Sequence, residues 1–208
     1  LAESEEAAFA QTRRFLSYLP SSVYEPPPVV TSDDSAGRRE EELLTIVPRK
    51  RTTTFDMRRA IRLMADRDSF FEIGRLWGCD QIVGFARFAG HPVGILASDS
   101  RHENGGALTA DGCDKLTRHL DLCDLFHVPV LNLVDNPGFA VGIEHERLGA
   151  IRRGGTWMIA SAQATTPMFT VIMRRSFGVA GNNYATPRSA VSPRVVWPAA
   201  DVGGIPPE

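Results

Sequence analysis

Two short segments carry most of the chemistry this sequence offers. Asp135-Asn136-Pro137-Gly138-Phe139 follows the apolar run Val130-Leu131-Asn132-Leu133-Val134, and Gly178-Val179-Ala180-Gly181 comes soon after Phe169-Thr170-Val171-Ile172-Met173. In folds that alternate strands and helices, ligands usually sit beyond the carboxyl ends of the strands, which singles out residues 135–142 and 176–182. Neither stretch places a nucleophile beside a base. His91, His102, His119, His127 and His145 are scattered, and no Ser/His/Asp or paired-carboxylate set stands out. His145, next to Glu144, reads as a surface or capping residue sooner than as a base. What the two loops do offer is main chain. The first is a turn with a built-in corner. The second is a run of small residues opening a helix, where backbone N–H groups and partial positive charge favour an anion. Gly178, Ala180 and Gly181 equally suit close helix–strand packing.

The elements that must hold these loops can be read from periodicity. Phe9, Thr12, Phe15, Leu16 and Leu19 fall at near-helical spacing within residues 1–24, ended by Pro20. Residues 25–50, with Pro26-Pro27-Pro28, read as an extended connector outside the core. Met57, Ile61 and Met64 predict a helix with Asp56 at its start, broken by Asp68-Ser69. Residues 82–88 and 93–97 predict a hairpin turning through Ala89-Gly90-His91-Pro92. Cys113, Leu116, Leu120 and Cys123 predict one face of a helix that ends before Pro129. Glu144 to Ala164 reads as one long helix with Leu148, Ile151, Gly155, Met158 and Ala162 inward. Asn104-Gly105-Gly106 is a loop signal. Alternation after a hairpin predicts an α/β domain with parallel strands and right-handed crossovers.

Composition sets the outer bounds. The chain has 208 residues, 43% of them hydrophobic, enough for one substantial core. A formal net charge of -2 argues against nucleic acid or an anionic membrane as partner. Arg49-Lys50-Arg51 is too short a cluster to change that, and Arg152-Arg153 read as solvated or interfacial. No apolar run approaches the roughly 20 residues that span a bilayer. Cys79, Cys113 and Cys123 are odd in number and lack paired metal spacing, so they are expected to be packed, reduced thiols, with no metal site. The acidic start, Leu1-Ala2-Glu3-Ser4-Glu5-Glu6, has neither a signal-peptide pattern nor an initiator Met, and a piece of a longer polypeptide is expected.

Six segments, in order, resemble the carboxyltransferase β subunits of the propionyl-, acetyl- and methylcrotonyl-CoA carboxylases. They are Phe15-Leu16-Ser17-Tyr18-Leu19-Pro20, Phe55-Asp56-Met57-Arg58, Ser69-Phe70-Phe71-Glu72, Val83-Gly84-Phe85-Ala86-Arg87, Asp135-Asn136-Pro137-Gly138-Phe139 and Trp197-Pro198-Ala199-Ala200. The resemblance covers nearly the whole chain and fits the C-terminal, biotin-side half of that family. It implies an α/β crotonase-like fold, a ββα superhelix forming one half of a tandem carboxyltransferase. Residues 1–50 would be an N-terminal helix and Pro-rich connector, and 51–208 the crotonase-like domain.

The implied reaction moves a carboxyl group between carboxybiotin, carried on a partner, and a coenzyme A thioester. Negative charge develops on the biotin urea and on the thioester oxygen, and pairs of backbone N–H groups can stabilise both. By resemblance, the biotin-side pair is the amides of Val179 and Ala180, after Gly178. The family's aromatic-Gly-Gly-Ala reads here as Phe177-Gly178-Val179-Ala180. A valine there distorts the site if the position needs a positive φ. Gly138, Phe139 and Gly142 would line the biotin pocket, or else Asp135–Phe139 is a rigid corner after a strand. Asn182 stands where the family often has an acidic residue influencing acyl choice, or caps the helix. The implied partners are the acyl-CoA-binding N-terminal half, a biotin carboxylase, a biotin carrier and further copies in a homo-oligomer. The implied location is the cytoplasm, or the mitochondrial matrix in a eukaryote. Competing readings are a degenerate assembly subunit, suggested by Val179 and the Val202–Pro207 tail, a biotin-dependent acyl-CoA decarboxylase, and a stand-alone hydratase or isomerase. The last lacks an obvious catalytic glutamate.

Overall fold

The structure, a computed structural model, describes residues 2–35, 37–50, 52–185 and 192–204, excepting the side chains of residues 103 and 182–185. The first helix, α1 (Glu5–Leu16), is capped by the Ser4 hydroxyl, which accepts the Ala7 N–H at 3.1 Å. Glu5 and Glu6 open it and Arg13 and Arg14 close it, matching the helix dipole. It buries none of its own residues and ends four residues before Pro20. Its anchor lies just beyond: Tyr18 stacks on Phe85 at 5.4 Å between ring centroids, with the Arg87 guanidinium 4.8 Å from the tyrosine ring centroid.

The connector is a strap laid over the fold. The Val30 N–H donates to Gly90 O, and Arg87 Nη1 donates to Pro28 O at 3.0 Å. A short 3-10 turn spans Glu41–Leu44. Val47 is buried in the core cluster that includes Phe55, Met57 and Ile61, so the connector reaches further inward than its polar composition indicates. Asp56 caps α2 (Met57–Met64) by accepting the Arg59 N–H at 3.0 Å, as the sequence predicts.

Among the described residues, seven strands form one sheet: β1 (Phe71–Ile73), β2 (Gln81–Phe88), β3 (His91–Ser98), β4 (Val130–Asn136), β5 (Met168–Phe177), β6 (Arg194–Val196) and β7 (Asp201–Gly203). They run in the order β1-β2-β3-β4-β5-β6, with β7 pairing β5 further along. β1, β2 and β3 are antiparallel neighbours, while β4, β5, β6 and β7 continue parallel to β3. The hairpin turn is tighter than expected. His91 already pairs with Phe88, so Ala89-Gly90 alone make the turn, both with positive φ. The three-residue strands β1, β6 and β7 are too short for a periodic signal.

A four-residue turn, α3 (Glu103–Gly106), with left-handed φ at Asn104 and Gly105, precedes the long helix α4 (Ala110–Leu125). Cys113, Leu116, Leu120 and Cys123 are fully buried along α4, as their spacing predicts. Burial raises both thiol pKa values, that of Cys113 to about 12, so both are inert packing groups.

The expected helix over 144–164 is two helices, α5 (Ile143–Arg147) and α6 (Ala150–Gln163), separated at Gly149 with φ 72°. The expected inner stripe faces outward. Leu148 and Ile151 are 57% and 59% exposed, and Met158 and Ala162 are exposed too. The face turned to the core is Ala150, Gly154, Trp157 and Ser161. Small residues let α6 approach α4, and Trp157 supplies the buried volume. Both stripes have helical periodicity, and counting aliphatic residues selects the wrong one. A further helix, α7 (Gly178–Ala185), begins where β5 ends. Among the described residues, no helix is long and apolar enough to cross a membrane.

Under the sheet, His119 is buried within hydrogen-bonding distance of Gly84 O, at 2.8 Å. Desolvation depresses its pKa from 6.5 to about 4, outweighing the opposing hydrogen bond. The unfolded chain therefore binds a proton that the folded chain excludes between those values. Stability is full above the unfolded pKa and falls as pH drops through it. Roughly 2 kcal/mol is expected to be lost between about pH 7.5 and 5 through this group. Denaturant titrations of the wild type and His119→Gln test this: the variant should show a shallower pH dependence, and equal slopes would contradict it.

Candidate functional site

The carboxyl ends of the parallel strands β3, β4 and β5 open into three loops that are stitched together. The loop after β4 meets the loop after β3 through a short bridge: Leu108 N–H donates to Gly138 O, and Ala140 N–H donates to Leu108 O, both at 2.9 Å. The loop after β3 contains Asn104-Gly105-Gly106, which the sequence marks only as irregular. The end of β5 runs straight into α7.

Gly178 is the pivot of the third loop. Its φ of 63° lies in the region that L side chains rarely adopt, and the chain uses it to turn from strand to helix. The demand for positive φ falls on Gly178, while Val179 is not among the non-glycine residues with positive φ. The valine therefore does not impose the backbone strain that would have distorted the site. Its side chain is 64% exposed, whereas Ala180 is fully buried in the core. As first-turn residues, Gly178, Val179 and Ala180 have amide hydrogens with no carbonyl one turn back to receive them. Such hydrogens, at the positive end of α7, are suited to an anion or a developing oxyanion.

Gly181 does the packing. A Cβ on it would lie 2.5 Å from Ser176 C and 3.0 Å from Ser176 Cα, so helix and strand meet backbone to backbone. The Ser176 hydroxyl donates to Gly181 O at 3.1 Å, closing the bend. The close-packing reading of the small residues thus holds at Gly181 and leaves the amides of Val179 and Ala180 unaddressed. Asn182 lies within α7, and its side chain is outside the described residues.

In the loop after β4, Gly138 and Gly142 border open space, since a Cβ on either would meet nothing within 4 Å. Phe139 leans its ring onto Gly154 of α6, fixing the loop to the helix below. Exposed Val141 and Ile143 adjoin it. His145 is half-buried on α5, and its Nδ1 has no partner among the described residues. Arg153 bridges to Asp114 and Asp111 of α4, a helix-to-helix tie.

Sequence reasoning expects Asp135 to satisfy backbone groups, and it accepts the Arg175 backbone N–H at 3.2 Å, but the two arginine side chains around it were missed. Asp135 is fully buried, and its carboxylate accepts hydrogen bonds from both Arg174 and Arg175. Next to it, Asn136 Oδ1 accepts the Gly138 N–H at 2.7 Å and shapes the corner. A signal was present: an acid ending one apolar run and two arginines ending the next, on strands that alternation makes neighbours.

The sequence profile described as carboxyl transferase domain matches residues 1–208. An uncharacterized carboxylase, YngE, of Bacillus subtilis is 36% identical over 208 residues, 100% of this chain and 40% of that protein. The propionyl-CoA carboxylase carboxyltransferase subunit of Haloferax mediterranei is 35% identical, over 99% of this chain and 40% of its own. The transcarboxylase 12S structure, a hexamer with methylmalonyl-CoA and methylmalonic acid bound, superposes with a TM-score of 0.93 at 29% identity. That match covers 98% of this chain and 39% of the other. The chain thus spans about two fifths of the length of the relatives it matches.

Proposed function

The chain belongs to the carboxyl transferase domain family, and on that premise we propose that it forms the biotin-side half of a site that transfers a carboxyl group between carboxybiotin and an acyl-CoA thioester. Its crotonase-like α/β fold is that of the superposed transcarboxylase. One observation supports the assignment above others. The first-turn amides of Val179 and Ala180 stand where β5 ends and α7 begins, at the carboxyl edge of the parallel strands, with the positive φ of that bend carried by Gly178. Carboxybiotin, when bound, would supply both the carboxyl group and the base for the acyl α-proton. This chain's part is to hold the negative charge on the urea oxygen with two fixed main-chain donors, without reorganisation during the reaction. Gly138, Phe139 and Gly142 form the pocket wall, Phe139 by bracing the loop against Gly154.

The outward stripe of Leu148, Ile151, Met158 and Ile159, continuous in chain order with Val141 and Ile143, gives the half-site an apolar surface for its complement. That complement is an acyl-CoA-binding half, in an oligomer served by a biotin carboxylase and a biotin carrier. Residues 1–50 act as helix and strap on the domain formed by 51–208.

The test is decarboxylation of malonyl-CoA or methylmalonyl-CoA by the native assembly that contains this chain, with and without free biotin. Turnover is expected only when biotin is present. A folded assembly that binds the thioester yet shows no biotin-dependent turnover would instead mark a degenerate assembly subunit.

A further inference from the structure

Three loops surround the proposed half-site, and only one supplies the amides assigned to catalysis. The other two are held to it by a buried ionic tether. Asp135, at the end of β4, is fully buried. Its carboxylate accepts Arg175 Nε at 2.7 Å, Arg175 Nη2 at 3.2 Å and the Arg175 backbone N–H at 3.2 Å. The same Nη2 continues to Gly105 O at 2.6 Å, in the loop after β3. On the other side, Arg174 Nε and Nη2 donate to Asp135 at 3.2 and 2.7 Å, and Arg174 Nη1 donates to Thr53 O. Arg175 is three residues before Gly178, so the strand that is clamped is the strand that launches α7.

The rigidity of this arrangement follows from its chemistry. A guanidinium is a planar fork of fixed donors, and a carboxylate that accepts from two forks is fixed in plane and rotation. Asn104, Gly105 and Gly106 all have positive φ, a run with little intrinsic preference to hold its shape. Gly105 N–H and Gly106 N–H both return to His102 O. The link from Gly105 O to Arg175 ties that turn to the strand ends.

From this geometry we propose that Asp135 and Arg175 are positioning residues, setting the separation between the Gly105 loop and the start of α7 and so the width of the slot that admits the cofactor's urea ring. The slot rests on the biotin-side assignment above; the tether itself does not.

Arg175→Met, made in the native assembly, is the primary variant because it leaves Asp135 paired with Arg174. Two readouts are needed. Hydrogen exchange at residues 104–108 and 178–181 is expected to rise about tenfold or more, with the centre of α4 unchanged. Binding of free biotin is expected to weaken about tenfold, while KM for the acyl-CoA stays at its wild-type value, as loosened positioning predicts. Asp135→Asn should loosen the same two segments. Wild-type exchange in both segments of folded Arg175→Met would overturn the proposal. So would an equal rise throughout the fold, which marks general destabilisation. If the wild type binds no biotin, the half-site reading fails, while the exchange result still decides whether the tether exists.

Discussion

Val179→Pro is expected to slow biotin-dependent carboxyl transfer by about 10²- to 10³-fold, the cost of one lost oxyanion donor, while leaving the fold intact. The substitution is selective because of where the residue sits. Its side chain is 64% exposed, so the ring has room. Its amide lies in the first turn of α7, where proline removes no intrahelical bond. The residue before it is glycine, whose missing Cβ relieves the usual clash with a following proline. The substitution removes the hydrogen assigned to the urea anion and otherwise changes only an exposed side chain. Val179→Gly keeps that hydrogen and should retain wild-type turnover. Steady-state kinetics with a melting curve for each variant gives the answer. A folded Val179→Pro enzyme of normal rate would remove Val179 from the site.

Gly181→Val tests the wall behind the amides. In an ordinary helix, replacing glycine with alanine stabilises by up to about 1 kcal/mol. Here the first added carbon would lie 2.5 Å from Ser176 C, and backbone cannot yield as a side-chain end can. The clash outweighs the propensity gain. About 3 kcal/mol of destabilisation is expected, the upper range for overpacking. Where the protein stays folded, α7 must back away from β5. A displacement near 1 Å is expected to cost about 10²-fold in rate. Denaturant midpoints and turnover should therefore fall together. A Gly181→Ala variant more stable than the wild type would show that Ser176 is not the constraint.

The legibility of this chain follows from the kind of signal each feature leaves. α4 is plain in the sequence because Cys113, Leu116, Leu120 and Cys123 form a continuous apolar face and that face is buried. The same logic misleads at α6, where a second apolar stripe, Leu148, Ile151 and Met158, is exposed in this chain. Periodicity reports that a face is apolar, not what covers it. The break at Gly149 depends on one backbone angle and leaves no periodic trace. β1, β6 and β7 span three residues each and are fixed by neighbours distant in sequence. In the candidate site, the loops are readable because small residues and turn formers punctuate strand ends. The worry attached to Val179 dissolves in the structure because the positive φ falls one residue earlier, on Gly178. The tether through Asp135 and Arg175 leaves only a partial trace, charges at the ends of two apolar runs, because pairing them requires register, which composition does not contain.

The most direct measurement is an experimental structure of the native assembly with biotin bound. The urea oxygen is expected about 2.7–3.1 Å from the amide nitrogens of both Val179 and Ala180, the distance a preorganised oxyanion hole requires. Biotin bound elsewhere, or seated here with its urea oxygen turned away from both nitrogens, would contradict it.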